Sequence, residues 1–346
     1  MKQHLFLTFL VALLFQSSLF AKNLEAIAVH PKGQYLVTGG ENRTLYIINT
    51  SSLKVTKRVW THARIKRLVF NTKGNRLMVV TDERALVWYD TKTWQPVHKI
   101  EKNVYRLTVA APLANVAVYQ VRNFSLPSFN LVSLDDGKVL KTIELKEKIR
   151  ISSLGLNAEG SKLALLTASS KDESEPKERT PRDLKGKERY LFTQKHDGRK
   201  TQLIVYNIKS GQQERSHTLW YRPFGSSGEL FIGDKDEVYI TSYANGHLKV
   251  SKDGSAEFFM LPNSYCYGKG FSDDGKMLAV GGLRKGTVIQ LSSMKSVFFE
   301  LDNLPGFPEY FSELTVAKNG KAYAVTDAFR VIEIDKSGKV RAAPVY

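Results

Sequence analysis

The sequence predicts an all-β fold, a seven-bladed β-propeller of four-stranded antiparallel blades. Two observations carry this: one strand-and-turn pattern returns about every forty residues, and seven copies of it fill the chain. The clearest copy is Leu24 to Lys54. A short apolar run ends at Pro31-Lys32-Gly33, a second starts at Tyr35, Gly39-Gly40-Glu41-Asn42 breaks it, and Leu45 to Ile48 is the third. The next copy, Ile65 to Thr93, places Lys73-Gly74 where Lys32-Gly33 stood.

Taken in order, the blades are predicted at about 24–63, 64–103, 104–148, 149–219, 220–263, 264–303 and 310–346. The third replaces Lys-Gly by Pro112-Leu113-Ala114-Asn115 and turns again at Asp135-Asp136-Gly137-Lys138. The fourth opens with Ile151 to Ala168, but its third strand is delayed to Thr201 to Asn207. Between them, Ser169 to Lys200 carries ten basic and seven acidic residues and few apolar ones, so a mobile insertion is expected at 169–200. The fifth copy is the most divergent, with a strand at Glu237 to Thr241 and a turn at Lys252-Asp253-Gly254. The sixth and seventh restore the pattern with Asp274-Gly275-Lys276 and Asn319-Gly320. Gly33, Gly74, Gly160, Gly275 and Gly320 fall at one equivalent turn, where a positive φ suits glycine. Each blade is contiguous in sequence, so closure by packing rather than by a shared strand is expected.

Residues 1–21 read as a secretory signal peptide: Lys2, an apolar run from Leu5 to Phe15, then small and polar residues up to Ala21, after which cleavage is predicted. The run is short of the ~20 residues that span a bilayer, so a periplasmic or secreted protein without a transmembrane anchor is expected. Cys266 is the only cysteine, which excludes an internal disulfide. The formal charge is +17, and from Asn42 to Thr81 there are nine Lys or Arg and no Asp or Glu. Such an excess favours an anionic neighbour. A protein partner or an anionic envelope polymer is expected, nucleic acid is not, and the chain is expected to be a monomer.

The segments AIAVHPKGQYLVTGG and GFSDDGKMLAVGG, with Val87-Trp88-Tyr89-Asp90, make the repeats similar to those of WD40-like β-propellers, the degenerate secreted YVTN type included. The resemblance covers essentially the whole mature chain. It implies the propeller fold and a binding surface, since propellers of this kind mostly present one. The terminal Trp-Asp pair is intact in no repeat, and the Gly-His opening is absent. The polar network those residues make in the family therefore does not transfer.

No local motif carries chemistry. The seven histidines fall in no metal-ligand spacing, and no metal or cofactor is expected. Gly225-Ser226-Ser227-Gly228 lacks the spacing of a nucleophile turn, and Cys266 between two tyrosines reads as a packing residue. No catalytic residue is assigned. The residues leading into each first strand should gather at one mouth of the channel: Arg64, Lys66, Tyr105, Arg106, Arg150, Arg222, Tyr267, Lys269 and Tyr310. Arginine with tyrosine is a binding composition. The expected function is a non-enzymatic binding or scaffold propeller, an accessory or assembly factor that contacts a protein or an anionic surface. The alternative is a lactonase-like or metal-dependent enzyme with its active site in the axial channel.

Overall fold

The computed structural model describes residues 23–345 except 102–103, 122–125, 169, 172–177, 179–180, 185, 193–195, 197–198, 221–228, 242–246 and 260–265. The predicted signal segment lies outside the described residues. The chain is all-β, as expected. The first sheet is β1 (Leu24–Val29), β2 (Tyr35–Gly40), β3 (Thr44–Asn49) and β4 (Val55–Trp60). The second is β5 (Ile65–Phe70), β6 (Arg76–Thr81), β7 (Leu86–Asp90) and β8 (Pro96–Ile100); the third is β9 (Val104–Ala111), β10 (Val116–Val121), β11 (Ser128–Ser133) and β12 (Val139–Glu144). All three are antiparallel and follow chain order.

The fourth and fifth repeats differ from the expected separate blades, because they form one nine-stranded sheet. It contains β13 (Ile151–Asn157), β14 (Lys162–Thr167), β15 (Ser170–Lys171), β16 (Arg199–Asn207) and β17 (Gln213–Leu219), then β18 (Leu230–Ile232), β19 (Val238–Ile240), β20 (His247–Val250) and β21 (Ala256–Phe259). The two halves join where β13 pairs in parallel with β18, Gly155 opposite Leu230. A Cβ on Gly155 would lie 2.5 Å from the Leu230 carbonyl oxygen, so only glycine admits this approach. Two further four-stranded sheets follow: β22 (Gly268–Phe271), β23 (Met277–Gly281), β24 (Lys285–Gln290) and β25 (Lys295–Glu300), then β26 (Phe311–Val316), β27 (Ala322–Thr326), β28 (Arg330–Ile334) and β29 (Val340–Pro344).

Burial explains why the second strands read as continuous apolar runs. β2, β6 and β14 are buried along nearly their whole length, so both faces are covered, whereas the outer strands β4 and β8 are largely exposed. The cores lie between neighbouring sheets. Ala26, Val37 and Leu45 of the first sheet pack with Leu68, Leu77 and Val87 of the second. Leu24, Leu36 and Tyr46 pack with Tyr323, Val331 and Val345, so the last sheet lies against the first. The Ile27 N–H donates to the Glu313 carboxylate at 2.6 Å across that junction, and Arg341 donates to the Thr50 carbonyl at 2.8 Å.

The turn between first and second strands is left-handed at one position throughout. Gly33, Gly74, Gly160, Gly275 and Gly320 have φ between +62° and +78°, while Asn115 and Asp236 take that conformation at 60° and 64°. Asparagine and aspartate are the residues that tolerate it best after glycine. Replacing Asn115 by glycine is therefore expected to change stability by less than about 1 kcal/mol, and replacing it by valine to cost about 1–2 kcal/mol, read from urea midpoints. Sheet ends are tied by a second recurring device: Thr50 and Thr91 hydroxyls donate to the carbonyls of Gly33 and Gly74 at 2.6 and 2.7 Å. Asp90, the end of the Trp-Tyr-Asp string, accepts the N–H groups of Lys92 and Thr93 at 3.0 and 2.9 Å, shaping the turn into β8.

Within the predicted insertion, the described residues add β15, which pairs with the start of β16, and a short helix α1 (Gly186–Phe192). The Lys200 ammonium sits 4.8 Å from the centre of the Trp220 ring. Backbone pairing at the base of the insertion thus carries structure beyond what its charged composition foretells, and within it 169, 172–177, 179–180, 185, 193–195 and 197–198 lie outside the described residues.

Candidate functional site

A cavity of about 680 Å³ is lined by β1, β5, β9, β13, β18, β22 and β26, the first strand of every repeat. A recurring irregularity shapes its wall. The register between first and second strands shifts at Leu24/Ala26, Ile65/Arg67, Ile151/Ser153 and Phe311/Glu313, so an extra residue bulges out at the same place in four repeats. Bulges re-aim side chains. Here Glu25, Lys66, Ser152 and Ser312 are the bulged residues, and all four line the cavity.

The residue after the bulge completes the wall. Arg67 and Glu313 follow their bulges and, like Glu229 just ahead of β18, stand seven positions before a left-handed turn residue, Gly74, Gly320 and Asp236 in turn. They share one level of the cavity. Arg67 Nη2 is 2.8 Å from Glu229 Oε1, bridging the second and fifth repeats. Burial opposes the charge on Arg67, but Glu229 and Glu313 more than offset it and hold its pKa above the usual value. Burial drives the Glu313 carboxyl up to about 8, with Glu229 adding to the rise against the pull of Arg67 and the Ile27 N–H. Lys269 is 5% exposed at the same wall; burial lowers its pKa, and Glu229 counters.

Towards the strand starts, Glu25 gathers the cations. Arg64 Nε donates to Glu25 Oε2 at 2.6 Å, Lys66 Nζ reaches the same oxygen at 3.0 Å, and Arg64 also meets Glu41 at 2.6 Å. Burial works to raise the Glu25 pKa, but bonds to Arg64 and Lys66 bring it below the usual range. The Tyr267 ring stands 4.9 Å from that of Tyr310, edge to face.

Of the nine predicted mouth residues, Lys66, Tyr267 and Lys269 line the cavity, Tyr310 packs on Tyr267, and Arg64 lies beside Lys66 on a shared carboxylate. Tyr105 is 38% exposed with the Arg84 guanidinium 5.8 Å from its ring centre, and Arg150 is exposed; neither lines the cavity. Arg106 belongs to β9, but its side chain lies outside the described ones, and Arg222 is outside the described residues altogether.

Sequence reasoning missed the carboxylates. Glu25, Glu229, Asp273 and Glu313 line the cavity together with Lys32, Lys66, Arg67, Lys269 and Lys318, so the wall mixes acidic and basic groups. At the other end of the cavity, burial raises Asp273 to about 6, and the His30 ring stacks on Tyr35 at 4.5 Å. Aligning the repeats on their turns would have placed Arg67 and Glu313 on one level; the fifth copy hid Glu229, because its turn residue is Asp236. Among the described residues, no three His, Cys, Asp or Glu side chains are grouped to hold a metal ion. No described helix is long and apolar enough to cross a membrane.

Compared with known proteins, the chain matches no family model and no curated protein.

Proposed function

We propose that this chain is an exported, non-enzymatic binding protein, a WD40-like propeller that holds a protein partner at the cavity wall that carries Lys66, Tyr267 and Lys269, with Tyr310 packed on Tyr267. The nine-stranded sheet is read as two four-stranded units side by side with the short β15 added to the first, which makes seven units in all around the cavity. The observation that carries the reading is that the first strand of every repeat contributes to one cavity. Its aromatic pair and mixed charges suit a protein surface better than a uniform polyanion, since Tyr, Arg and paired charges are the substance of protein interfaces. A scaffold or assembly factor is the role this arrangement serves best.

One observation favours the second reading, an enzyme with its site in the cavity. Glu313, held up to about 8, carries a proton near neutral pH and has the character of a general acid. Capture of residues 22–346 on a resin, exposed to cell-envelope extract at low and high salt with metal analysis of the same sample, separates the two. Retention of one defined protein, lost in a Tyr267→Ala/Lys66→Gln variant, is the expected result. A stoichiometric metal with no retained protein would transfer the assignment to an enzyme.

A further inference from the structure

We propose that β4, the outer edge of the first sheet, is a docking strand for an extended acidic peptide, separate from the cavity and independent of its role. Four of the nine cations between Asn42 and Thr81 are neutralised inside the fold: Arg64 and Lys66 by Glu25, Arg67 by Glu229, and Arg76 by Asp90. Lys54, Lys57 and Arg58 are exposed and make no ion pair among the described residues. Beside them Trp60 is 54% exposed, its indole N–H donating to His62 Nδ1 at 3.0 Å, which fixes the ring's orientation on the edge. Two adjacent cations and an anchored tryptophan have the composition of a binding hot spot.

The backbone of the same strand is ready to pair. β4 ends its sheet, with β3 on one side only. The Thr61 N–H bonds the Arg43 carbonyl at 2.9 Å, and Thr44 stands opposite Trp60. Bonded and non-bonded pairs alternate in an antiparallel ladder, so Val59 and Lys57 turn their backbone groups to β3, while Arg58 and Trp60 turn theirs outward. An added strand would bond there. Lys57 and Arg58 project to opposite faces, which a chain running along the edge reaches together and a flat anionic surface does not.

The other outer strands lack this combination. β8 opens with Pro96 and its Lys99 pairs with Glu101, while β12, β17, β21 and β25 carry Glu144, Glu214, Glu257 and Glu300. In β29, Arg341 is committed to the carbonyls of Thr50 and Ser51. Lysine on an edge also discourages self-pairing, but that purpose needs no exposed tryptophan. In antiparallel register the geometry specifies an apolar residue opposite Trp60 and, after one residue, two consecutive acids opposite Arg58 and Lys57.

The test is a titration of the mature chain with acetyl-Thr-Val-Thr-Glu-Glu-Thr-amide at about 50 mM salt, followed by tryptophan fluorescence. The Lys57→Glu/Arg58→Glu variant is expected to weaken binding about tenfold or more and to bind instead the peptide with two lysines for the glutamates. Methylating the backbone nitrogens of the valine and the first glutamate is expected to weaken binding about tenfold as well, because these N–H groups would face the edge. A Lys66→Gln variant is expected to bind as the parent does, which keeps the cavity out of the result. The proposal is overturned if the peptide does not bind, if N-methylation or charge reversal leaves its binding unchanged, or if only vesicles containing phosphatidylglycerol bind.

Discussion

Arg67→Met is expected to destabilise the chain by about 2–3 kcal/mol at neutral pH, because it strands the Glu229 carboxylate in the cavity wall without its cation. A fully buried pair loses more, about 3–5 kcal/mol, but here the Arg67 side chain is 32% exposed and that of Glu229 23%. Adding Glu229→Gln to Arg67→Met removes the stranded charge and is expected to recover about 1 kcal/mol or more, a coupling that urea denaturation of the two single variants and the double variant measures. A change within about 0.5 kcal/mol for Arg67→Met would mean that the bridge between the second and fifth repeats contributes little.

Glu313 governs the pH dependence of the same wall. Its carboxyl titrates at about 8 when folded against an ordinary 4.5. Between those values the folded chain holds a proton that the unfolded chain has released, so stability falls as pH rises from 4.5 towards 8. Glu313→Gln keeps the shape and an acceptor for the Ile27 N–H but cannot ionise. The variant is expected to match the parent near pH 5 and to exceed it by about 2 kcal/mol at pH 9, after allowance for solvent screening of a partly exposed group. Comparing the two proteins at each pH cancels the other titrating groups, Asp273 included. Parallel stability curves would show that Glu313 ionises normally.

The turns made the repeat legible. A left-handed residue every forty or so positions leaves a glycine in the sequence at five of the seven sites, and Asn115 and Asp236 are the residues next best suited to the same backbone. The merging of the fourth and fifth repeats was not legible as such, although Gly155, inside a strand, is the kind of residue that marks a close backbone approach. The site was read in part. Lys66, Tyr267 and Lys269 follow from the idea that first strands begin at a common mouth, whereas the pairing of Arg64 with Glu25 spans 39 positions and two repeats. Pairings of that kind depend on register between units, which strand propensity does not encode. The basic stretch was visible as composition, and only the fold separates Arg64, Lys66, Arg67 and Arg76, which pair with carboxylates, from the exposed cations on and beside β4.

If a partner binds at the strand starts around the cavity, amide hydrogen exchange of residues 22–346 with and without the captured partner shows it most directly. The predicted result is slowed exchange at residues 64–67, 152–153, 229–231 and 267–269, with protection at 55–60 added where the partner carries an acidic extended segment. Unchanged exchange at the cavity residues, with protection confined to the outer surface, would contradict it.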